Sequence, residues 1–382
     1  MIRSLRLFLV HGPSLSVGMA FAALNLLYGS LFTRLPEIQN ALHLNQSRLG
    51  ICLLAMSIGS LLIIPISGWL VARRSNGQLL YVGACITALA FLFPVLANSY
   101  LLLFMALLLI GIANGMIGIF VNAAAAAIEQ DAKISIMNTC HGMFSIGGVL
   151  GAASASLIAG LEISLYGHLL TLIALSILMF ISLRPFFLAI PNSQRQGVAL
   201  ALPTRPLWGL AGIAFFIIMT EVAVMDWSAV YLGNELNSSG FVKGLGFAGF
   251  SLAMAIGRFQ GDQIIGRVGS RRIALVGSYV GIIGLAIIAL FPIPIMAIVG
   301  FTLIGLGFSC IVPVLFSQSA KLPDVESGIG IATVATAGML GILLGRPLMG
   351  LIAEHWGLHV GFGLLAFFVL GSTLITRQWG KG

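Results

Sequence analysis

The run L-W-G-L-A-G-I-A-F-F-I-I-M-T-E-V-A-V-M-D-W-S-A-V-Y-L, Leu207 to Leu232, decides the fold. It is long enough to cross a bilayer, because a spanning helix needs about 20 largely apolar residues. It nevertheless carries two acids, Glu221 and Asp226. A carboxylate near the bilayer centre costs roughly 3 kcal/mol on insertion scales, so such residues persist where they pair or act on a passing solute or ion.

The rest of the chain repeats this texture. Of 382 residues, 59% are hydrophobic and 8% are charged, and the mean hydropathy is +1.08. That is too few charges to cover a water-facing surface, which excludes a soluble globular protein. The net charge of +8 does not indicate nucleic-acid binding. The basic residues sit in short gaps between apolar runs, with no basic face and no interleaved aromatics. Cys52, Cys85, Cys140 and Cys310 lie in or beside apolar runs without C-x-x-C spacing, as small buried residues do; neither disulfide nor metal site is expected. The N-terminal M-I-R-S-L-R-L-F-L-V leads into a run long enough to span, so it reads as a retained first helix.

Apolar runs and their breaks predict twelve spanning helices, near 14–35, 47–72, 78–97, 100–128, 137–161, 164–184, 207–232, 243–266, 272–291, 294–319, 327–353 and 357–376. The longest gap, 185–206, is rich in Pro and Arg and divides the helices six and six. The expected organisation is an all-α membrane protein of two pseudo-symmetric six-helix bundles, 1–184 and 207–382, joined by a linker at 185–206. With the N-terminus in the cytoplasm, 14 Lys and Arg fall on the inner side, against Arg34, Arg48 and Lys243 on the outer. This bias places both termini inside.

The halves echo each other at an offset of about 194. Gly147 and Gly151 align with Gly341 and Gly345. The stretch G-W-L-V-A-R-R-S-N-G-Q (68–78) aligns with G-D-Q-I-I-G-R-V-G-S-R-R (261–272), and Ser47–Gly50 roughly with Val242–Gly246. Parallel six-helix repeats of this kind build one large class of transporters. Small residues at spacing four, such as Gly249, Ala253, Gly257 and Gly261, support close helix packing.

At these residues the chain resembles the major facilitator superfamily. The loop 261–272 is similar to its cytoplasmic signature, which implies gating roles for Asp262, Arg267, Arg271 and Arg272. The first-half counterpart keeps Arg73 and Arg74 but has Ala72 where the family often has Asp. The segment N-T-C-H-G-M-F-S-I-G-G (138–148) is similar to the fucose-permease-like branch. The segments F-T-R-L-P-E-I (32–38), T-E-V-A-V-M-D-W (220–227) and G-R-F-Q-G-D (257–262) resemble a group within it of uncharacterised bacterial inner-membrane proteins and rhizopine-transporter-like chains. The resemblance implies alternating access by two bundles, often coupled to protons, in the inner membrane. It implies no cofactor.

Within the spans, Glu221 lies near mid-depth and Asp226 nearer the outside, roughly 140° apart around the helix axis. Glu221 and Asp226 are the candidate proton-coupling acids. Two readings of Glu221 stay open: a group whose protonation follows the open side, or a structural tie to a neighbouring helix. Arg346 lies at a depth similar to Asp226 and could pair with it, for structure or as a contact that breaks during opening. Arg346 could also meet an anionic solute. Arg258 and Asp262, at i, i+4 near the end of the eighth helix, read as a conformational latch.

The first half has no mid-depth acid. Its polar candidates for solute contact are Asn25, Asn114, Asn122 and His141. Asn114, Gly118 and Asn122 share one face of the fourth helix. The aromatic candidates are Tyr28, Phe120, Phe144, Trp227 and Tyr231, where a sugar ring could stack. Each could equally be a helix-packing group. No nucleotide loop, metal cluster or nucleophile constellation is found, so an enzyme is not expected. The expected protein is a monomeric secondary transporter of a small polar solute with protons. The alternative is a multidrug or metabolite exporter of the same superfamily.

Overall fold

The computed structural model describes residues 8–134, 136–192, 204–322 and 325–378, apart from the side chains of 138, 262, 263, 327 and 375–378. Its long helices are α1 (Gly12–Thr33), α2 (Gln46–Arg73), α3 (Asn76–Ala90), α4 (Tyr100–Ala132), α5 (Met137–Gly160) and α6 (Leu165–Leu188). They continue with α7 (Trp208–Val230), α8 (Leu245–Val268), α9 (Ser270–Leu290), α10 (Pro294–Phe308), α11 (Ser327–Trp356) and α12 (Leu358–Gln378). Eleven helical stretches are long and apolar enough to cross a membrane, and Leu358–Leu374 is a shorter apolar helix. Helices are the form expected, because lipid offers no partner for an open backbone. α6 runs four residues past the expected end at 184, and Pro185 is carried inside it.

Several helix ends are closed by side chains. Ser99 caps α4 through Leu102 N, and Ser164 caps α6 through Gly167 N. Glu129 accepts from Ile136 N and Met137 N at 2.6 and 2.8 Å, closing the start of α5. Glu235 does the same for α12, accepting from Leu358 N at 2.6 Å. A carboxylate satisfies backbone donors that a helix start leaves unpaired.

The chain divides into two units. The first holds the described residues up to Leu42 and those from Ala55 to Asn192; the second holds His43–Leu54 and the described residues from Thr204 on. The start of α2 thus groups with the second unit, although the rest of that helix belongs to the first.

In the first unit α5 packs along α1. A side-chain carbon on Gly147 would collide with the carbonyl oxygen of Ala22, and one on Gly151 with that of Leu26. In the second unit α11 packs along α7 in the same way, with Gly341 against the carbonyl of Phe215. The offsets are 341 − 147 = 194 and 215 − 22 = 193. The sequence repeat is therefore a packing repeat, in which the same glycine site lets one backbone touch another.

Candidate functional site

In α7 most side chains are buried, including Thr220, Ala223, Val224, Asp226 and Trp227. Phe215, Ile218, Glu221, Val222 and Met225 are only half-buried. Their spacing of three and four makes one stripe along the helix, and Glu221 is its charged member. Glu221 Oε1 is buried and has no hydrogen-bond partner among the described residues.

The charge of Arg258, on α8, acts on Glu221, and Cys310 lies within the same electrostatic reach of Arg258. Glu221 is 221 − 208 = 13 positions into α7, and Arg258 is 258 − 245 = 13 positions into α8. Consecutive spanning helices run in opposite directions, so both sit near mid-span. α8 ends at Val268, two residues past the expected end at 266 and ten positions beyond Arg258. The side chain of Asp262, its expected latch partner, lies outside the described residues. Cys310 Sγ donates to the Gly257 carbonyl at 3.4 Å, fastening the turn that carries Arg258.

Asp226 faces away from Glu221, toward α11. Arg346 Nε donates to its Oδ2 at 2.7 Å, and both residues are buried. Arg346 Nη1 also donates to the carbonyl of Leu53, at 3.2 Å. One turn further along α11, Gly350 lies against the backbone of Gly50. A turn beyond that, Glu354 Oε2 accepts from Gln46 N at 2.8 Å and Ser47 N at 3.4 Å. Nothing in the sequence marks Glu354 beyond its being an acid at a helix end, two turns from Arg346.

In the first unit, Asn25 is 2% exposed and donates through Nδ2 to the carbonyl of Phe144 at 2.9 Å. It ties α1 to α5, while its Oδ1 has no partner among the described residues. His141 and Phe144 are half-buried and both meet the ring of Phe21, at 5.1 and 6.4 Å between centroids. Asn122 is exposed and donates back to Gly118 O at 2.7 Å. Gly118 faces open space, and Asn114 is half-buried on the same face.

Four of the aromatic candidates are buried. Phe120 (2% exposed) and Tyr28 (6%) are packed inside the first unit, Tyr28 between Phe32 and Phe91. Trp227 and Tyr231 are fully buried in the second, and Tyr231 donates to the carbonyl of Ile288 at 3.1 Å. A ring enclosed on both faces cannot stack on a solute without repacking a dense interior. Phe144 is the one that keeps an open side.

Of the loop-signature residues, Arg73 lies over the ring of Trp69 at 4.6 Å. Arg74, Arg267 and Arg272 are exposed, and Arg271 is half-buried. Among the described residues no group of three or more His, Cys, Asp or Glu gathers where it could hold a metal ion.

A profile described as the Major Facilitator Superfamily matches residues 15–323 and 210–379. An uncharacterized MFS-type transporter of Yersinia pestis is 30% identical over 335 residues, 88% of this chain and 87% of that protein. An uncharacterized transporter of Sinorhizobium fredii is 30% identical over 369 residues, 94% of each chain. Membrane protein MosC of Rhizobium meliloti is 27% identical over 365 residues, 94% and 87%. Among solved structures, the nucleoside transporter NupG aligns with a TM-score of 0.71 at 15% identity, covering 96% of this chain and 99% of that one. A bacterial homolog of the human lysosomal transporter Spinster aligns with a TM-score of 0.76 at 13% identity, covering 95% of each. Packed helices carrying charges at mid-span, a glycine repeat that recurs between halves, and relatives that align along nearly the whole chain lead to one family: the chain is a multi-pass membrane transporter belonging to the major facilitator superfamily.

Proposed function

We propose that the protein moves a small polar solute, a sugar, polyol or related metabolite, by proton-coupled alternating access across a bacterial inner membrane, as a monomer with both termini cytoplasmic. The observation that carries this reading is Glu221. It is a mid-span acid on a half-buried stripe, with one carboxyl oxygen that no described residue satisfies. A buried carboxylate without a donor is costly, and binding a proton removes the charge that burial penalises. Glu221 is therefore the coupling site, with Arg258 as the charge that senses its state. Asn114, Asn122, His141 and Phe144 are the solute-facing groups of the first half. Asp226 and Arg346 hold the frame.

The fucose-permease-like resemblance supports a hydroxylated solute, which the amides of Asn114 and Asn122 suit. A second reading has its own observation. The stripe around Glu221 is otherwise apolar, made of Phe215, Ile218, Val222 and Met225, which suits a lipophilic cation moved outward against protons.

Proton flux into proteoliposomes, read with an internal pH dye, separates the two. A panel of sugars, inositols, sugar acids and lipophilic cations is offered in turn. A saturable inward flux with a sugar or polyol supports the first reading. A flux evoked only by lipophilic cations replaces it with the second. Binding of a compound without any flux removes Glu221 from coupling.

A further inference from the structure

The second unit carries a polar clasp where α7 stops and α12 starts. Past Val230 the chain winds through a π-helical turn, Tyr231–Glu235, a form that is rare and mostly a single turn long. The last residue of that turn holds the first residues of α12. Glu235 Oε2 accepts from Leu358 N at 2.6 Å, and its Oε1 accepts from His359 N at 3.3 Å. His359 Nδ1 lies 2.7 Å from the same Oε1. Gly357, just before the clasp, has φ +87°, and a side-chain carbon there would meet the imidazole at 2.8 Å and Glu235 Oε1 at 3.1 Å. The glycine leaves the room that the imidazole and the carboxylate use.

The first unit has a counterpart at the repeat offset. Arg34, just past α1, donates to the carbonyl of Ile163 at 2.8 Å and to Glu37 at 2.8 and 2.7 Å. Ile163 stands 357 − 163 = 194 positions before Gly357. Each half thus ties the chain beyond its first helix to the turn entering its sixth. The chemistry differs. The first clasp is a guanidinium–carboxylate pair. His168 lies within its electrostatic reach, but neither ring nitrogen has a hydrogen-bond partner among the described residues. The second clasp is built on an imidazole. The His359 and Glu235 side chains are 39% and 26% exposed, so water on that face sets their protonation.

We propose that Glu235 and His359 form a pH-responsive clasp, which holds the end of α7 on α12 tightly in mild acid and loosely above neutrality. An ordinary imidazole changes charge between about pH 5 and 8, whereas ordinary lysine, glutamate and tyrosine side chains do not. Charged, His359 donates from Nδ1 to a carboxylate of opposite sign, a charge-assisted bond. Neutral, it loses that attraction, and in one of its two tautomers Nδ1 has no proton to give. The contribution is therefore present on the acid side and lost as pH rises through the imidazole titration. The other charged or titratable groups around the clasp, among the described residues, come from three elements. Lys243, on the short helix Gly240–Lys243, lies against Gly233. Glu354 and His355 end α11, with the His355 ring against Trp356. Tyr231 meets the ring of Phe362 on α12. Of these, His355 is the other imidazole, and it serves as the control. The clasp faces outward in the proposed topology, and that placement alone rests on the proposed function.

Amide hydrogen exchange of the full chain in nanodiscs, resolved to single amides, reads the clasp through Leu358, whose N–H it holds. Rates are corrected for intrinsic exchange and referred to Leu102, whose N–H is held by Ser99. Protection of Leu358 should fall about threefold from about pH 5.5 to about pH 8, the size of a partly exposed ion pair. The fall should disappear in His359→Gln and in Glu235→Gln, and remain in His355→Gln. Equal protection at both pH values in the parent overturns the proposal, as does a fall that persists in His359→Gln or vanishes in His355→Gln. No solute or proton gradient is needed, so the coupling role of Glu221 can fail while the clasp stands, and the reverse.

Discussion

Arg346 Nε meets the Asp226 carboxylate at 2.7 Å across α7 and α11, with Asp226 1% exposed. Two opposite charges buried together offset much of each other's desolvation, and removing one leaves the other stranded, at roughly 3–5 kcal/mol. Asp226→Ala is therefore expected to lower folded yield and unfolding midpoint sharply. Asp226→Ala/Arg346→Ala recovers part of the loss, because no uncompensated guanidinium remains. Fluorescence-detected size exclusion and thermal unfolding in detergent measure both. Absence of recovery in the double variant argues that the Leu53 carbonyl contact of Arg346, not the pair, carries the stability.

The glycine repeat predicts matched sensitivities in the two halves. Gly147→Leu and Gly341→Leu each place a side chain against a backbone carbonyl, of Ala22 and Phe215 respectively. Overpacking of this sort costs about 1–3 kcal/mol, and backbone is less able than a side chain to move aside. Both variants should lower the unfolding midpoint by similar amounts. Gly118→Ala, whose new carbon meets nothing within 4 Å, leaves it unchanged. A midpoint drop in Gly118→Ala equal to that of Gly147→Leu would contradict this packing.

Much of this was legible in the sequence, and the reasons differ by level. Span positions come from apolar run length, a strong signal in lipid because the bilayer sets the length. The Asp226–Arg346 pairing could be inferred from depth alone, since few positions in a span tolerate charge. Depth is read less exactly: the eighth span is expected to end at 266, and α8 ends two residues later at Val268, ten positions past Arg258. Burial of Tyr28, Phe120, Trp227 and Tyr231 was not legible either. In a membrane chain, residues that face lipid, helix or cavity are all apolar, so periodicity does not separate the faces. Glu354 acts through backbone donors on a segment some 300 positions away, and the sequence of that segment carries no trace of the contact.

The two asparagines of the first half are expected to part company. Asn25 is buried and spends its amide on the Phe144 carbonyl. Asn25→Ala should cost roughly 1 kcal/mol of stability, in line with hydrogen bonds between membrane helices. Asn122 is exposed and, among the described residues, bonds within its own helix. Asn122→Ala should leave the unfolding midpoint in place and raise the KM for the transported solute several-fold. Thermal unfolding and initial-rate uptake read the two effects separately. An unchanged KM in Asn122→Ala removes it from the solute site.

Glu221→Gln tests the coupling role most directly. Glutamine keeps the shape and mid-span position of the side chain but cannot exchange a proton, and Arg258 then faces a neutral group in every state. A carrier coupled through Glu221 should lose accumulation driven by a proton gradient while keeping part of its solute exchange, because exchange needs no net proton movement. Stability should hold or rise, since a buried carboxyl with an unsatisfied oxygen is replaced by a neutral amide of the same shape, which carries no charge to desolvate. Uptake against counterflow in proteoliposomes, with and without an imposed pH gradient, distinguishes the outcomes. Accumulation at the parent level in Glu221→Gln would show that protons do not enter the cycle through this residue, and Glu221 would then be a structural group of α7.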